Sequence, residues 1–183
     1  LAEKFASRLH MPLLNLNEID SPEELAAAVR DAGEKLGQRT AAEAYVEAGL
    51  RAYQKVRAAA QRILTGKRCL VAAGLPFQIF QPQGIIRWLK SLDLAVQGFF
   101  LPSIVSEARR KEYQAFTAAE YPEMICCGPE AEETAADFLV TTGETETNLP
   151  QFRLLPQHFT FAGWGDEAAR LAAFLAGGVS HGA

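Results

Sequence analysis

From Arg68 to Leu155 the chain repeats one pattern: a short run of continuous apolar residues, an amphipathic stretch, then another apolar run. The strand-like runs fall at Arg68–Ala73, Leu94–Leu101, Glu123–Cys126, Phe138–Thr141 and Phe152–Leu155. Helical patterns occupy Gly84–Leu92, Ser103–Phe116, Glu130–Ala136 and Asp166–Ala176, whereas Gly143–Leu149 has none and reads as a loop. A strand that is apolar at every position, rather than at alternate ones, must be buried on both faces. That is the condition of a parallel sheet covered by its own crossover helices. The expected fold is therefore α/β, with a doubly wound, mostly parallel sheet.

What precedes the sheet is helical. Ser21-Pro22-Glu23-Glu24 joins an N-cap serine, a proline at the first helical position and a capping-box glutamate. The helix it opens should run to about Leu36 and stop at Gly37. Thr40 with Glu43 repeats the capping box, and a long helix to about Leu64 should follow, closed by Gly66. Its expected buried stripe is Tyr45, Ala48, Ala52, Val56, Ala59 and Ile63, with Glu47 and Arg51 paired on the exposed side. Before Ser21, Leu13–Leu16 reads as a short extended run. Leu1, Phe5 and Leu9 fall on one face of a helix with little start signal. The expected organisation is a helical lead-in over 1–66, a Rossmann-like α/β domain over 67–176, and a frayed tail over 177–183. The chain reads as a piece of something longer, the alternative being the trimmed N-terminus of a complete protein.

The bulk numbers exclude several classes. With 183 residues and 49% hydrophobic content, the chain is long enough to bury a real core. A net charge of −4 without a Lys/Arg cluster argues against a nucleic-acid surface. No apolar run approaches the length of a membrane span. Three cysteines, an odd count, do not suggest a secreted disulfide framework, and a reducing cytoplasm fits best.

In doubly wound sheets, ligands bind beyond the carboxyl ends of the strands. The loops to inspect follow Ala73, Leu101, Cys126, Thr141 and Leu155. The first, "GLPFQIFQPQG", lacks both the G-x-G-x-x-G and the G-K-[ST] patterns, which disfavours a nucleotide. Gly74 would let the backbone lie against another flat or bulky ligand, with Gln78, Gln81 and Gln83 as neutral hydrogen-bonding groups; a plain turn glycine is the alternative. Cys126-Cys127 has no second cysteine pair at metal-site spacing, so structural packing is the better reading. Cys69 lies within a strand and belongs to the core, and no metal ligand is assigned. His10, His158 and His181 do not cluster. Of these, His158 follows the last strand in the loop leading to Gly163, where it could contact a ligand or transfer a proton; a loop histidine with no special role is the better reading of the residues alone. Asp166 and Glu167 read as acids stabilising a helix N-terminus. Phe159, Phe161 and Trp164 would wall a pocket or pin the helix.

In order and spacing, these pieces resemble the last domain of the nitrogenase component 1 family. That family includes the molybdenum–iron protein, its cofactor-assembly scaffolds and tetrapyrrole reductases. The resemblance runs through "HMPLL", "GKRCLVAAGL", "LDLAVQGFF", "AADFLVTT", "LPQFRLL" and "FTFAGWGDEAARLAAFL". It implies a domain of an oxidoreductase that holds an iron–sulfur cluster or other metallocofactor and takes electrons from an ATP-dependent iron protein. Such a domain would be inactive on its own, contributing one wall of a pocket completed by missing N-terminal domains and a subunit partner. None of the three cysteines matches a ligand position of that family.

By the same resemblance, Gly74 and Leu75 match the Gly-Leu of a loop that packs against the cofactor. The arginines that follow there are replaced here by Pro76, Phe77 and Gln78. Pro156 stands at the position of a cofactor histidine, with His158 two residues on and Gly163 in the glycine loop. The implied cofactor-binding set is Gly74, Leu75, Phe77, Gln78, His158 and Gly163. A neutral wall of this kind suits a tetrapyrrole or another apolar-faced ligand, because it leaves fewer buried charges unpaired. The alternative function is a non-redox ligand-binding or assembly module on the same scaffold.

Overall fold

The computed structural model describes residues 19, 21–72, 82–100, 106–126, 136–143, 147–154 and 160–177. Their order is α1 (Pro22–Lys35), α2 (Arg39–Leu64), β1 (Arg68–Ala72), α3 (Pro82–Ser91), β2 (Ala95–Phe100), α4 (Glu107–Glu120), β3 (Ile125–Cys126), β4 (Phe138–Thr141), β5 (Gln151–Arg153) and α5 (Phe161–Leu175). The strands form one sheet in the order β3-β2-β1-β4-β5, and every neighbouring pair is parallel. This is the doubly wound, Rossmann-like arrangement that the unbroken apolar runs require, and it is preceded by helices. The expected extended run at 13–16, the helices at 1–9 and 130–135 and the tail lie outside the described residues. No helix among the described residues is long and apolar enough to cross a membrane.

Both faces of the central strand are buried. Cys69 and Val71 of β1 join Phe138 and Val140 of β4 in the main core, while Leu70, Ala72 and Leu139 form a second cluster. A bulge shifts the β1–β2 register between Cys69 and Leu70, so that Cys69 partners Val96 but Leu70 partners Gly98. Strict alternation would turn Phe99 away from Val96. The extra residue instead brings both into the main core, with Phe99 edge-on to Tyr113.

The helices close over the main core. Trp88 of α3 and Trp164 of α5 meet with ring centroids 5.4 Å apart. α1 begins as expected, with the Ser21 hydroxyl accepting from the Glu24 N–H at 3.1 Å and Pro22 in the first turn. Gly37, with φ of 66°, follows its end. The second capping box does not form. α2 begins at Arg39, ahead of Thr40, and Glu43 accepts two hydrogen bonds from Arg30 of α1 at 2.8 and 2.9 Å.

The expected stripe of α2 also needs correction. The residues facing the core are Val46, Tyr53, Ala60 and Leu64, flanked by Leu50, a face turned about 100° from the expected one. Tyr45 is 51% exposed and Ile63 40%, and Ala48, Ala52 and Ala59 are exposed as well. Two apolar rows coexist on this alanine-rich helix, and α1 and α5 select the row carrying Val46, Leu50 and Tyr53. α5 starts at Phe161, five residues before the expected start, because Thr160 caps it by accepting from the Gly163 N–H at 3.0 Å. α4 likewise runs later than expected, to Glu120.

The amino edge of the sheet is clipped by Asp137. Its carboxylate accepts from the Arg68 backbone N–H at 2.8 Å and from the Arg68 guanidinium at 3.1 Å. These bonds, the backbone one first, hold its pKa below the ordinary value of 3.8. A carboxyl depressed on folding contributes stability above its unfolded pKa and loses it as pH falls through the folded one. Asp137→Asn should therefore be less stable than wild type at about pH 6, with the gap closing below about pH 4, as read by urea unfolding across pH. A second prediction concerns the α2–α5 contact. A Cβ on Gly49 would overlap the Phe161 ring, so Gly49→Ala should cost about 1–3 kcal/mol in urea unfolding despite alanine's better helix propensity.

Candidate functional site

The site is built by the point where the winding of the sheet reverses. From β1 the chain moves outward through β2 to β3, then returns to β4 on the other side of β1 and continues to β5. In open α/β sheets such a reversal of winding is the place where ligands bind, here beyond the carboxyl ends of the Ala72–Thr141 pair. Its floor carries no charge. Ala72 is apolar, and the buried Thr141 hydroxyl donates to the Gly143 carbonyl at 2.7 Å and accepts from the Gly143 N–H at 3.1 Å. Pairing continues above the strands: Thr142 N–H donates to the Ala72 carbonyl at 3.4 Å and Leu154 N–H to the Thr141 carbonyl at 2.8 Å.

Of the sequence-derived candidates, Gly163 lies within the described residues. It sits in the first turn of α5, with its N–H held by the Thr160 hydroxyl. Gly74, Leu75, Phe77, Gln78 and His158 lie outside the described residues, in the segments that follow β1 and β5. Gln83 opens α3 just beyond the first of these segments. Its side-chain Oε1 is enclosed and has no hydrogen-bond partner.

Phe161 and Trp164 are buried in the main core, so they pin α5. Cys69 is fully buried, and desolvation, aided by Asp137, pushes its thiol up to about 12. A thiol so held stays protonated and makes neither a nucleophile nor a metal ligand. Among the described residues no group of three or more His, Cys, Asp or Glu is placed to hold a metal ion.

The sequence reading missed one arrangement. Glu167 is not at a helix start: it lies in the second turn of α5, 1% exposed, paired with Arg170. Arg170 stacks over Phe152, 5.1 Å from the ring centroid, and reaches the Arg153 carbonyl at 3.4 Å. The pair ties α5 to the carboxyl end of β5, at the entrance to the segment that carries His158. Its signal was the i,i+3 spacing of Glu167 and Arg170, obscured because the helix starts earlier than expected.

Two solved structures share this architecture. The chain matches "Nitrogenase Cp1 at pH 5" with a TM-score of 0.60 and 13% identity, over 95% of this chain and 44% of that one. Its fold is shared with nitrogenase chains. It matches "Nitrogenase Cp1 at pH 6.5" with a TM-score of 0.57 and 11% identity, over 86% of this chain and 43% of the other. The chain thus spans less than half the length of the nitrogenase chains it matches, and the likeness is one of fold. No protein-family model and no curated protein matches the chain.

Proposed function

We propose that the chain is a domain of a nitrogenase component 1-like oxidoreductase. In this reading its crevice between β1 and β4 forms one wall of a metallocofactor or substrate pocket, and the domain is inactive alone. The observation that carries the reading is the reversal of winding between β1 and β4, at the strand whose following segment holds Gly74, Leu75, Phe77 and Gln78. The shared fold supports it, as does a floor whose one hydroxyl is already engaged.

The remaining walls and the cluster ligands come from further domains and a subunit partner. An iron–sulfur cluster or related metallocofactor would supply the redox chemistry, fed by an ATP-dependent iron protein. This chain's own part is to bind and to exclude water: Gly74 and Leu75 permit close backbone approach, Phe77 gives an apolar face, and Gln78 offers neutral hydrogen bonds. His158 and Gly163 belong to the same proposed binding set. A neutral wall favours an apolar-faced ligand such as a tetrapyrrole, since no buried charge needs a partner. The exposed row Tyr45, Ala48, Ala52, Ala59 and Ile63 on α2 is apolar surface suited to docking against those further domains.

The reading is tested with the double variant Phe77→Ala/Gln78→Ala in the complete gene product, titrated with zinc protoporphyrin as an apolar-faced probe. Loss of the ring contact and the hydrogen bond should weaken binding roughly 10-fold or more. Unchanged affinity in a variant that folds normally would count against this wall.

A further inference from the structure

An open apolar groove runs between α2 and α5. It encloses about 370 Å³, and its lining includes Tyr45, Gly49, Ala52 and Val56 from the first helix and Phe161 and Asp166 from the second. The same apolar row continues along α2 through Ala59 to Ile63, which is 40% exposed. At 1.5 Å per residue the row from Tyr45 is about 27 Å long. That length suits a packed helix better than a small molecule. A small-ligand pocket would also need several polar groups converging on it. Here the Thr160 hydroxyl is engaged in capping α5, and Asp166 is the charged group in the lining.

The two sides of the groove differ in charge. Gly49 and Val56 face α5, at Phe161 and Gly165. On the opposite side of the row, Arg51, Lys55 and Arg62 stand exposed at i, i+4 and i+11. Arg51 pairs with Glu47 at 3.3 Å, and among the described residues Lys55 and Arg62 form no ion pair. The α5 side carries Asp166 instead. Resting on the proposed reading, we propose that the groove takes an amphipathic helix from a further domain of the complete gene product. Its apolar ridge seats between α2 and α5, and its acidic edge lies beside Arg51, Lys55 and Arg62. The edge next to Asp166 is neutral or basic, so charge fixes which way the helix faces. A second copy of this chain is the poorer occupant, because two α2 helices packed antiparallel would set their basic edges together.

The experiment uses the complete gene product carrying Ala52→Cys in the groove or, as a control, Gln54→Cys on an exposed part of α2 away from the row. Each is treated with N-ethylmaleimide, and every thiol is followed by peptide mass spectrometry. Cys69, fully buried, reacts only if the fold is lost. The thiol introduced at position 52 should react roughly 10-fold more slowly than the one at position 54. Adding Lys55→Glu and Arg62→Glu should raise the 52-to-54 rate ratio at least several-fold, with Cys69 still unreactive. Equal rates at the two positions without the charge reversal would overturn the proposal. Protection that survives the reversal would overturn the acidic edge, and protection lost on dilution would make the cover a second copy. Iron measured on the same preparations separates this proposal from the reading beneath it. Iron together with a reactive position 52 overturns the docked helix alone, whereas protection without iron removes the metallocofactor reading and leaves the docked helix supported.

Discussion

The pairing of β1 with β4 is the constraint on which the rest of the molecule turns. Cys69 to Ala72 lie in parallel register with Phe138 to Thr141, although more than sixty residues separate the two strands in sequence. Parallel strands cannot be joined by a hairpin, so each connection must cross a face of the sheet and bury it. With β2 and β3 already on one side of β1, the return to β4 reverses the winding, the point at which open α/β sheets bind ligands. The site's position is thus a consequence of topology rather than of any single residue there.

Packing holds that topology in place. The main core gathers one face of the sheet together with α2, α3 and α5, and the Trp88–Trp164 contact joins the last two. α2 approaches α5 closely enough that Gly49 lies under Phe161, and Thr160 caps α5 at its start. At the carboxyl end of β5 the buried Glu167–Arg170 pair adds a second tie. A buried ion pair is weak evidence of net stabilisation, but it fixes where α5 meets the strand. The ends of the sheet consequently differ in character: the amino edge is clipped by Arg68 and Asp137, and the crevice at the carboxyl edge has a neutral floor.

Much of this was legible in the residues. The apolar runs placed all five strands within a residue or two, because burial on both faces leaves no ambiguity of period. Ser21-Pro22 fixed the start of α1, and Gly37 its end. The failures have physical causes. α2 carries two apolar rows, and which one is buried depends on α1 and α5, which local periodicity does not record. Thr40–Glu43 has the letters of a capping box, yet the Arg30 guanidinium is the stronger partner for Glu43. Thr160 was overlooked as a cap, so Glu167 was read as an acid at the helix N-terminus rather than in its second turn. At the site, the sequence pointed to the carboxyl ends of the strands, but the strand order that singles out β1 and β4 came only with the fold. The engagement of the Thr141 hydroxyl with Gly143 could not be foreseen from a threonine at a strand end.

The central claim is that this crevice is one wall of a metallocofactor pocket completed by domains outside the chain. Its most direct test is anaerobic iron and acid-labile sulfide analysis, with an absorption spectrum, on the complete gene product and on this chain side by side. The account predicts iron, sulfide and a visible chromophore in the complete product, and none in the chain alone. A complete product with neither iron nor sulfide would contradict it and leave a binding or assembly module built on the same sheet.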